Sequence, residues 1–281
     1  MSRAELVVGG LLNAVARPAP VLAGRLAFGL FCHPVRRGKV LPAERAAHER
    51  AVTEELSVNG KLVRVYRWGT GERPVLMLHG WQSRASRYAA FVPHLEALGL
   101  SPVSFDAPGH GSSGGRSTTI LEYREIIGGL QRRYGAFHSV VAHSLGATSM
   151  LLALRGDVRA GRLVTVAAVK DFGHFPDEFA RILGLRNGLR EDLRDRIEHR
   201  LFAEVADPWA LFDATRGPEE IDVPMRIIHD TDDDMVPVAQ AHALKDAYGE
   251  QAELVITAGL GRRKILGEPE IVASAMEFIA R

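Results

Sequence analysis

The chain has 281 residues, 46% of them hydrophobic and 25% charged, with 35 Lys/Arg against 34 Asp/Glu. That composition supports a sizeable buried core, and a net charge of +1 argues against a dedicated nucleic-acid binder. A lone cysteine, Cys32, excludes an intrachain disulfide and any cysteine-based zinc site.

The near-neutrality joins unlike parts. Residues 1–50 hold 8 Lys/Arg and 3 Asp/Glu, whereas residues 51–281 hold 27 and 31. Residues 1–50 read as a helical, Ala-rich N-terminal extension ending in a basic knot at Arg36, Arg37 and Lys39. Its apolar stretch, Leu6 to Ala16, is broken by Arg17, Pro18, Pro20 and Arg25 and is too short to span a bilayer. Arg3 and Ala14-Val15-Ala16 imitate a secretory signal, but Glu5 and Arg17-Pro18 oppose it. The expectation is a cytoplasmic protein whose first helices pack on the body, with peripheral membrane contact through residues 1–40 as the alternative.

From residue 51 short apolar runs alternate with helical segments. Strands are predicted at 54–58, 61–68, 75–78, 102–105, 139–142, 163–169, 225–229 and 253–257. The first two are joined by Asn59-Gly60, a two-residue hairpin signal. The later runs are Val/Leu/Ile-rich with little alternation, as in strands buried on both faces of a parallel sheet. Helices are predicted at 87–98, 119–134, 144–155, 237–248 and 269–280. Strand–helix–strand repetition makes 51–281 an α/β domain with helices on both sheet faces. Residues 170–223 carry helical patterning at 177–183, 190–205 and 208–215 without a strand, and read as an insertion over the sheet.

The strongest local signal is Ser139-Val140-Val141-Ala142-His143-Ser144-Leu145-Gly146-Ala147. A buried strand runs into a small-x-Ser-x-Gly turn and then a helix, the nucleophile-elbow pattern with Ala142 in place of the first Gly. Such a turn exposes the Ser144 hydroxyl and aims the Leu145 amide at a developing oxyanion. His79-Gly80-Trp81 follows another strand and offers the Trp81 amide as a second donor, with His79 itself better read as a structural hydrogen-bonder. Asp106-Ala107-Pro108-Gly109-His110-Gly111 after a third strand reads as a structural loop. Neither a metal-ligand spacing nor a dinucleotide fingerprint is present, so no cofactor or metal is expected.

In this order and spacing, His79–Trp81, Asp106–Gly111 and Ala142–Gly146 resemble the α/β-hydrolase superfamily over about residues 54–281. The resemblance implies an eight-stranded, mostly parallel sheet with one antiparallel strand near its start and a small helical cap at 170–223. It also implies a triad in the order Ser, acid, His. The resemblance implies an acid four residues after the strand-ending His229 and three before Val236, which is Asp233; Asp232 and Asp234 are the one-residue alternatives, and Asp230, Asp232 and Asp234 otherwise read as a solvated acidic loop. The base belongs in the loop Ala258-Gly259-Leu260-Gly261-Arg262, where the histidine position holds Arg262. No histidine follows His242, and His79 is the best substitute base. Arg262 is instead expected to pair with Asp233.

Two functions follow from the resemblance. One is a serine hydrolase acting on a small ester, thioester or related acyl bond, esterase-like and impaired by the loss of its base. Its cap aromatics Phe172, Phe175, Phe179, Trp209 and Phe212 would be either pocket walls or cap core. The alternative is a non-catalytic ligand- or partner-binding member of the fold.

Overall fold

The computed structural model describes residues 3–281. The helices are α1 (Arg3–Val15), α2 (Pro20–Cys32), α3 (Arg45–Glu49), α4 (Val92–Ala97), α5 (Ile120–Tyr134), α6 (Leu145–Leu154), α7 (His174–Leu183), α8 (Asn187–Arg196), α9 (Pro208–Leu211), α10 (Ala239–Tyr248), α11 (Gly261–Lys264) and α12 (Pro269–Ala280). The strands are β1 (Val52–Val58), β2 (Lys61–Arg67), β3 (Pro74–Leu78), β4 (Ser101–Asp106), β5 (Ser139–His143), β6 (Leu163–Val166), β7 (Met225–Asp230) and β8 (Ala252–Thr257).

The eight strands form one sheet in the order β1-β2-β4-β3-β5-β6-β7-β8. Strand β2 is antiparallel to both β1 and β4, and every other pairing is parallel. This is the architecture of the α/β-hydrolase fold. The hairpin between β1 and β2 closes through Asn59 and Gly60, both at positive φ (49° and 71°), with Val58 opposite Lys61. Those angles are what a two-residue hairpin requires and what Asn-Gly supplies at least cost. Strands β3, β4, β5 and β7 are buried at every residue.

Helix α5 shows why its ends fall where they do. Thr119 caps it, accepting from the Glu122 amide at 3.2 Å while Glu122 accepts from the Thr119 amide at 3.2 Å, and Gly135 at φ 84° ends it. Two expected elements are shorter than the sequence suggests. Strand β6 stops at Val166 because Ala167 turns to φ 49°. The helix expected at 87–98 is split into a 3-10 turn, Ala85–Tyr88, and α4.

The chain divides into two compact units. One joins the segment ending at Val35 to Asp171–Asp213; the other comprises Arg36–Lys170 and Ala214–Arg281. The expected bounds were 50 and 170–223. The first falls earlier because residues from Arg36 onward are tied to the sheet unit. The Gly111 amide donates to the Arg37 carbonyl at 2.7 Å, Ser86 Oγ to Glu44 at 2.7 Å, and Trp68 Nε1 to the Ala47 carbonyl at 2.7 Å. Arg37 of the basic knot is likewise structural, donating to the carbonyls of Ser113 (2.6 Å) and Gly115 (2.7 Å).

In the smaller unit, α1 and α2 pack on α7 and α8 through small residues. A Cβ on Gly9 would lie 1.5 Å from the Leu183 carbonyl oxygen, and one on Gly24 would lie 1.7 Å from Asp192 Oδ2. Asn13 clamps the contact, donating to the Gly184 carbonyl at 2.8 Å and accepting from the Arg186 amide at 3.0 Å. Phe172 is buried among Phe31, Phe175, Phe202 and Phe212, with ring centroids 5.3–6.4 Å apart. Phe172 and Phe212 are therefore core of this unit.

Candidate active site

Ser144 stands between the carboxyl end of β5 and α6 at φ 53°, ψ −121°. A non-glycine residue in that region carries strain of about 1–3 kcal/mol and persists only where its surroundings enforce it. They do so here through the Ser144 amide, which donates to the Val166 carbonyl at 3.0 Å, and the Ser144 carbonyl, which accepts from Ala147 (2.8 Å) and Thr148 (3.2 Å). Small neighbours are obligatory at the turn. A Cβ on Gly146 would sit 2.6 Å from the Leu78 carbonyl oxygen, and one on Gly80 would sit 2.9 Å from Ser144 Cβ. The Leu145 amide opens α6, where first-turn N–H groups have no intrahelical acceptor and the helix adds partial positive charge.

Two loops at the same sheet edge are pinned by buried carboxylates. Asp106 accepts from the Ala85 amide at 2.8 Å, the Ser112 amide at 2.7 Å and the Tyr66 hydroxyl at 2.9 Å, with Arg84 at 3.3 Å. This bears out the structural reading of that loop. Asp230 is buried, not solvated as expected. It accepts from the amides of Asp232 (3.0 Å), Leu260 (3.2 Å) and Gly261 (2.9 Å) and from the Thr257 hydroxyl (2.7 Å). These bonds outweigh the burial that opposes its ionisation and hold its carboxyl below the ordinary value of 3.8. Asp232 adds a bond from the Gly259 amide at 3.0 Å. The segment that delivers residue 262 is thus fastened to the end of β7.

Asp233 accepts from the Met235 and Val236 amides at 2.9 Å each through Oδ1. Its Oδ2 is buried without a hydrogen-bond partner, 4.0 Å from His229 Nε2. That nitrogen donates instead to the Val236 carbonyl at 2.8 Å. Arg262 does not make the expected pair with this carboxylate. Its guanidinium donates to Ser144 Oγ at 2.5 Å and reaches Met235 Sδ at 3.0 Å. The structure therefore brings Ser144 and the side chain of residue 262 together, with Asp233 on the loop after β7.

His79 is not a substitute base. Its Nε2 accepts from the Ala107 amide at 3.0 Å and its Nδ1 donates to the Gly80 carbonyl at 2.7 Å, so both ring nitrogens are committed. His143 escaped attention in the sequence because it is the variable residue of the elbow. It is buried and donates from Nε2 to the Arg262 carbonyl at 3.0 Å, which ties the elbow to the loop of residue 262. Burial and the Arg262 guanidinium push its pKa down to about 3.

A strained serine between a buried strand and a helix, at the edge of an eight-stranded, mostly parallel sheet, is the arrangement of the α/β-hydrolase fold. Residues 75–262 match the Alpha/beta hydrolase family, and the chain belongs to it. It is 25% identical over 192 residues to the esterase YjfP of Escherichia coli (strain K12), covering 63% of this chain and 74% of that protein. It is 27% identical over 144 residues to a serine hydrolase-like protein of Danio rerio, covering 47% of this chain and 40% of that one. The monoacylglycerol lipase of Paleococcus ferrophilus superposes with a TM-score of 0.59 at 22% identity, covering 78% of this chain and 98% of the lipase.

Proposed function

We propose that the chain is a serine-type acyl hydrolase whose centre lacks its general base, so that it turns over small esters or thioesters slowly. Ser144 is the nucleophile, Asp233 the acid, and the amides of Trp81 and Leu145 the oxyanion donors. The observation that carries the reading is the Arg262–Ser144 hydrogen bond of 2.5 Å. Residue 262 reaches the nucleophile as a triad base would, but presents a group that only donates.

Attack of Ser144 Oγ on an acyl carbon must release the hydroxyl proton as the carbonyl oxygen gains charge. The two amides and the α6 terminus suit that charge. The proton has no acceptor, because a guanidinium with a pKa above about 12 cannot take it. In subtilisin, loss of the histidine alone costs about 10⁶ in kcat, with about 10³–10⁴ over water retained from binding and the oxyanion hole. The same order is expected here. The esterase and lipase names among the relatives support an acyl bond as the substrate class.

The Arg262–Ser144 contact also favours a second reading, a non-catalytic binder in which a cation at the serine holds an anionic ligand. Arg262→His separates the two. Restored turnover of a p-nitrophenyl ester, with fluorophosphonate labelling of Ser144, supports a hydrolase missing only its base. Correct folding without rescue supports the binder. Rapid labelling of Ser144 in the unaltered chain overturns the missing-base reading.

A further inference from the structure

The helices α1 and α2 wear their apolar residues on the wrong side for a packed layer. A helix covering a core turns large apolar residues inward and polar ones outward. Here the inward stripe is mostly small (Gly9, Ala23, Gly24 and Ala27), while Leu6, Val7 and Leu11 of α1 and Leu22, Leu26 and Leu30 of α2 are exposed. Leu11 is 62% and Leu22 51% accessible. Among the described residues, nine of the fifteen exposed large hydrophobics lie between Leu6 and Val35. The i, i+4 spacings of Val7 with Leu11, and of Leu22, Leu26 and Leu30, make continuous ridges on their helices.

The charges on this segment discriminate between occupants. Arg3, Arg17 and Arg25 are exposed, and the one carboxylate between residues 3 and 35, Glu5, is only partly exposed. A second copy of the same face would meet its own arginines. An anionic lipid surface offers acyl chain to the leucines and phosphate to the guanidiniums. No helix among the described residues is long and apolar enough to cross a membrane. The geometry is that of helices lying in an interface.

We propose that the α1–α2 pair is a docking surface for an anionic lipid bilayer, which narrows the sequence-based candidate region from residues 1–40 to these two helices. Arg37 does not contribute, being spent on the loop carbonyls of Ser113 and Gly115. The inference is independent of whether Ser144 turns over substrate.

Vesicle co-sedimentation of the full chain tests it, with phosphatidylcholine alone and with phosphatidylcholine containing 30% phosphatidylglycerol. The expected result is binding to the mixed vesicles that weakens as salt rises. The triple substitution Leu11→Gln, Leu22→Gln, Leu26→Gln should lower the partition at least tenfold at unchanged thermal midpoint, because these side chains are exposed. Arg17→Gln with Arg25→Gln should lose the preference for anionic vesicles several-fold. Absence of binding at 1 mM lipid, or equal partition of the parent and the triple variant, overturns the proposal. So does concentration-dependent dimerisation through this face without vesicle binding.

Discussion

On the proposed reading, a guanidinium where a triad would hold an imidazole changes two things at once beside Ser144. It withdraws a proton acceptor, and it adds a donor that occupies a lone pair of Ser144 Oγ at 2.5 Å. The two effects separate by substitution. Arg262→Ala removes the donor without supplying a base, and ester turnover should stay at the level of the parent chain. Arg262→His should raise kcat by at least about 10², the lower end of a positioned general base's contribution, and by up to the roughly 10⁶ that loss of the base costs. Placing Asp233→Asn in the Arg262→His background should remove most of that gain, because the imidazole then loses the carboxylate that fixes its tautomer. Steady-state kinetics on one ester checks all three. A gain with Arg262→Ala would mean that the guanidinium blocks a base supplied from elsewhere. Legibility at this scale was uneven. Counting along the chain singles out Asp233 and Arg262, and of the two it is Arg262 whose side chain hydrogen-bonds Ser144. It assigned Arg262 to the wrong partner, since a long side chain near two acceptors is decided by their placement in space. It also missed the bond from His143 to the Arg262 carbonyl, which joins residues 119 apart.

Elements hold the site by close approach as much as by hydrogen bonds. The elbow works because α6 starts hard against the end of β3, and Gly146 is the contact point. Its missing Cβ would fall 2.6 Å from the Leu78 oxygen and 2.8 Å from the His79 oxygen, both backbone. Neither oxygen can rotate away, so Gly146→Ala should cost about 1–3 kcal/mol as an overpacked substitution. Gly128, mid-way along α5, meets only the flexible Arg132 guanidinium at 3.4 Å. Gly128→Ala should therefore stabilise by about 0.5–1 kcal/mol through helix propensity. Urea denaturation of the two variants gives both signs in one experiment, and equal effects would contradict the contact argument. The elbow and the hairpin were readable in the sequence because each is written into a few adjacent residues: Ala142 to Gly146, and Asn59-Gly60. The packing of α1 and α2 on α7 and α8 was not. More than 140 residues separate the partners, and the only trace is a stripe of Gly and Ala that also fits an ordinary Ala-rich helix.

Across the sheet unit, three histidines are buried in forms that cannot gain a proton without breaking the structure. His79 Nε2 accepts the Ala107 amide and His110 Nε2 accepts the Gln82 amide, each at 3.0 Å, so protonation there expels a backbone donor. His143 has a buried Nδ1 with no hydrogen-bond partner, so a proton there would gain no acceptor. Burial, with His79 nearby, lowers His110 to about 3; burial, then Arg262, lowers His143 to about 3; burial lowers His79 below 6.5. The unfolded chain therefore binds more protons than the folded one as pH falls below 6.5. The stability associated with these groups is fully present above pH 6.5 and is lost progressively as pH falls toward 3. Each histidine contributes a slope of up to about 1.4 kcal/mol per pH unit inside that window. Carboxylates with depressed values, such as Asp230, Glu253 and Glu277, add their own loss only near and below their unfolded values of 3.8 and 4.5. The interval between pH 6.5 and 5 thus isolates the histidines. Urea midpoints measured across it should fall steadily in the parent chain. In His110→Gln, whose amide still accepts and donates but does not titrate, the fall should be shallower by about one histidine's slope. A flat profile in the parent, or an unchanged slope in His110→Gln, would show that these rings reach water before the unit unfolds.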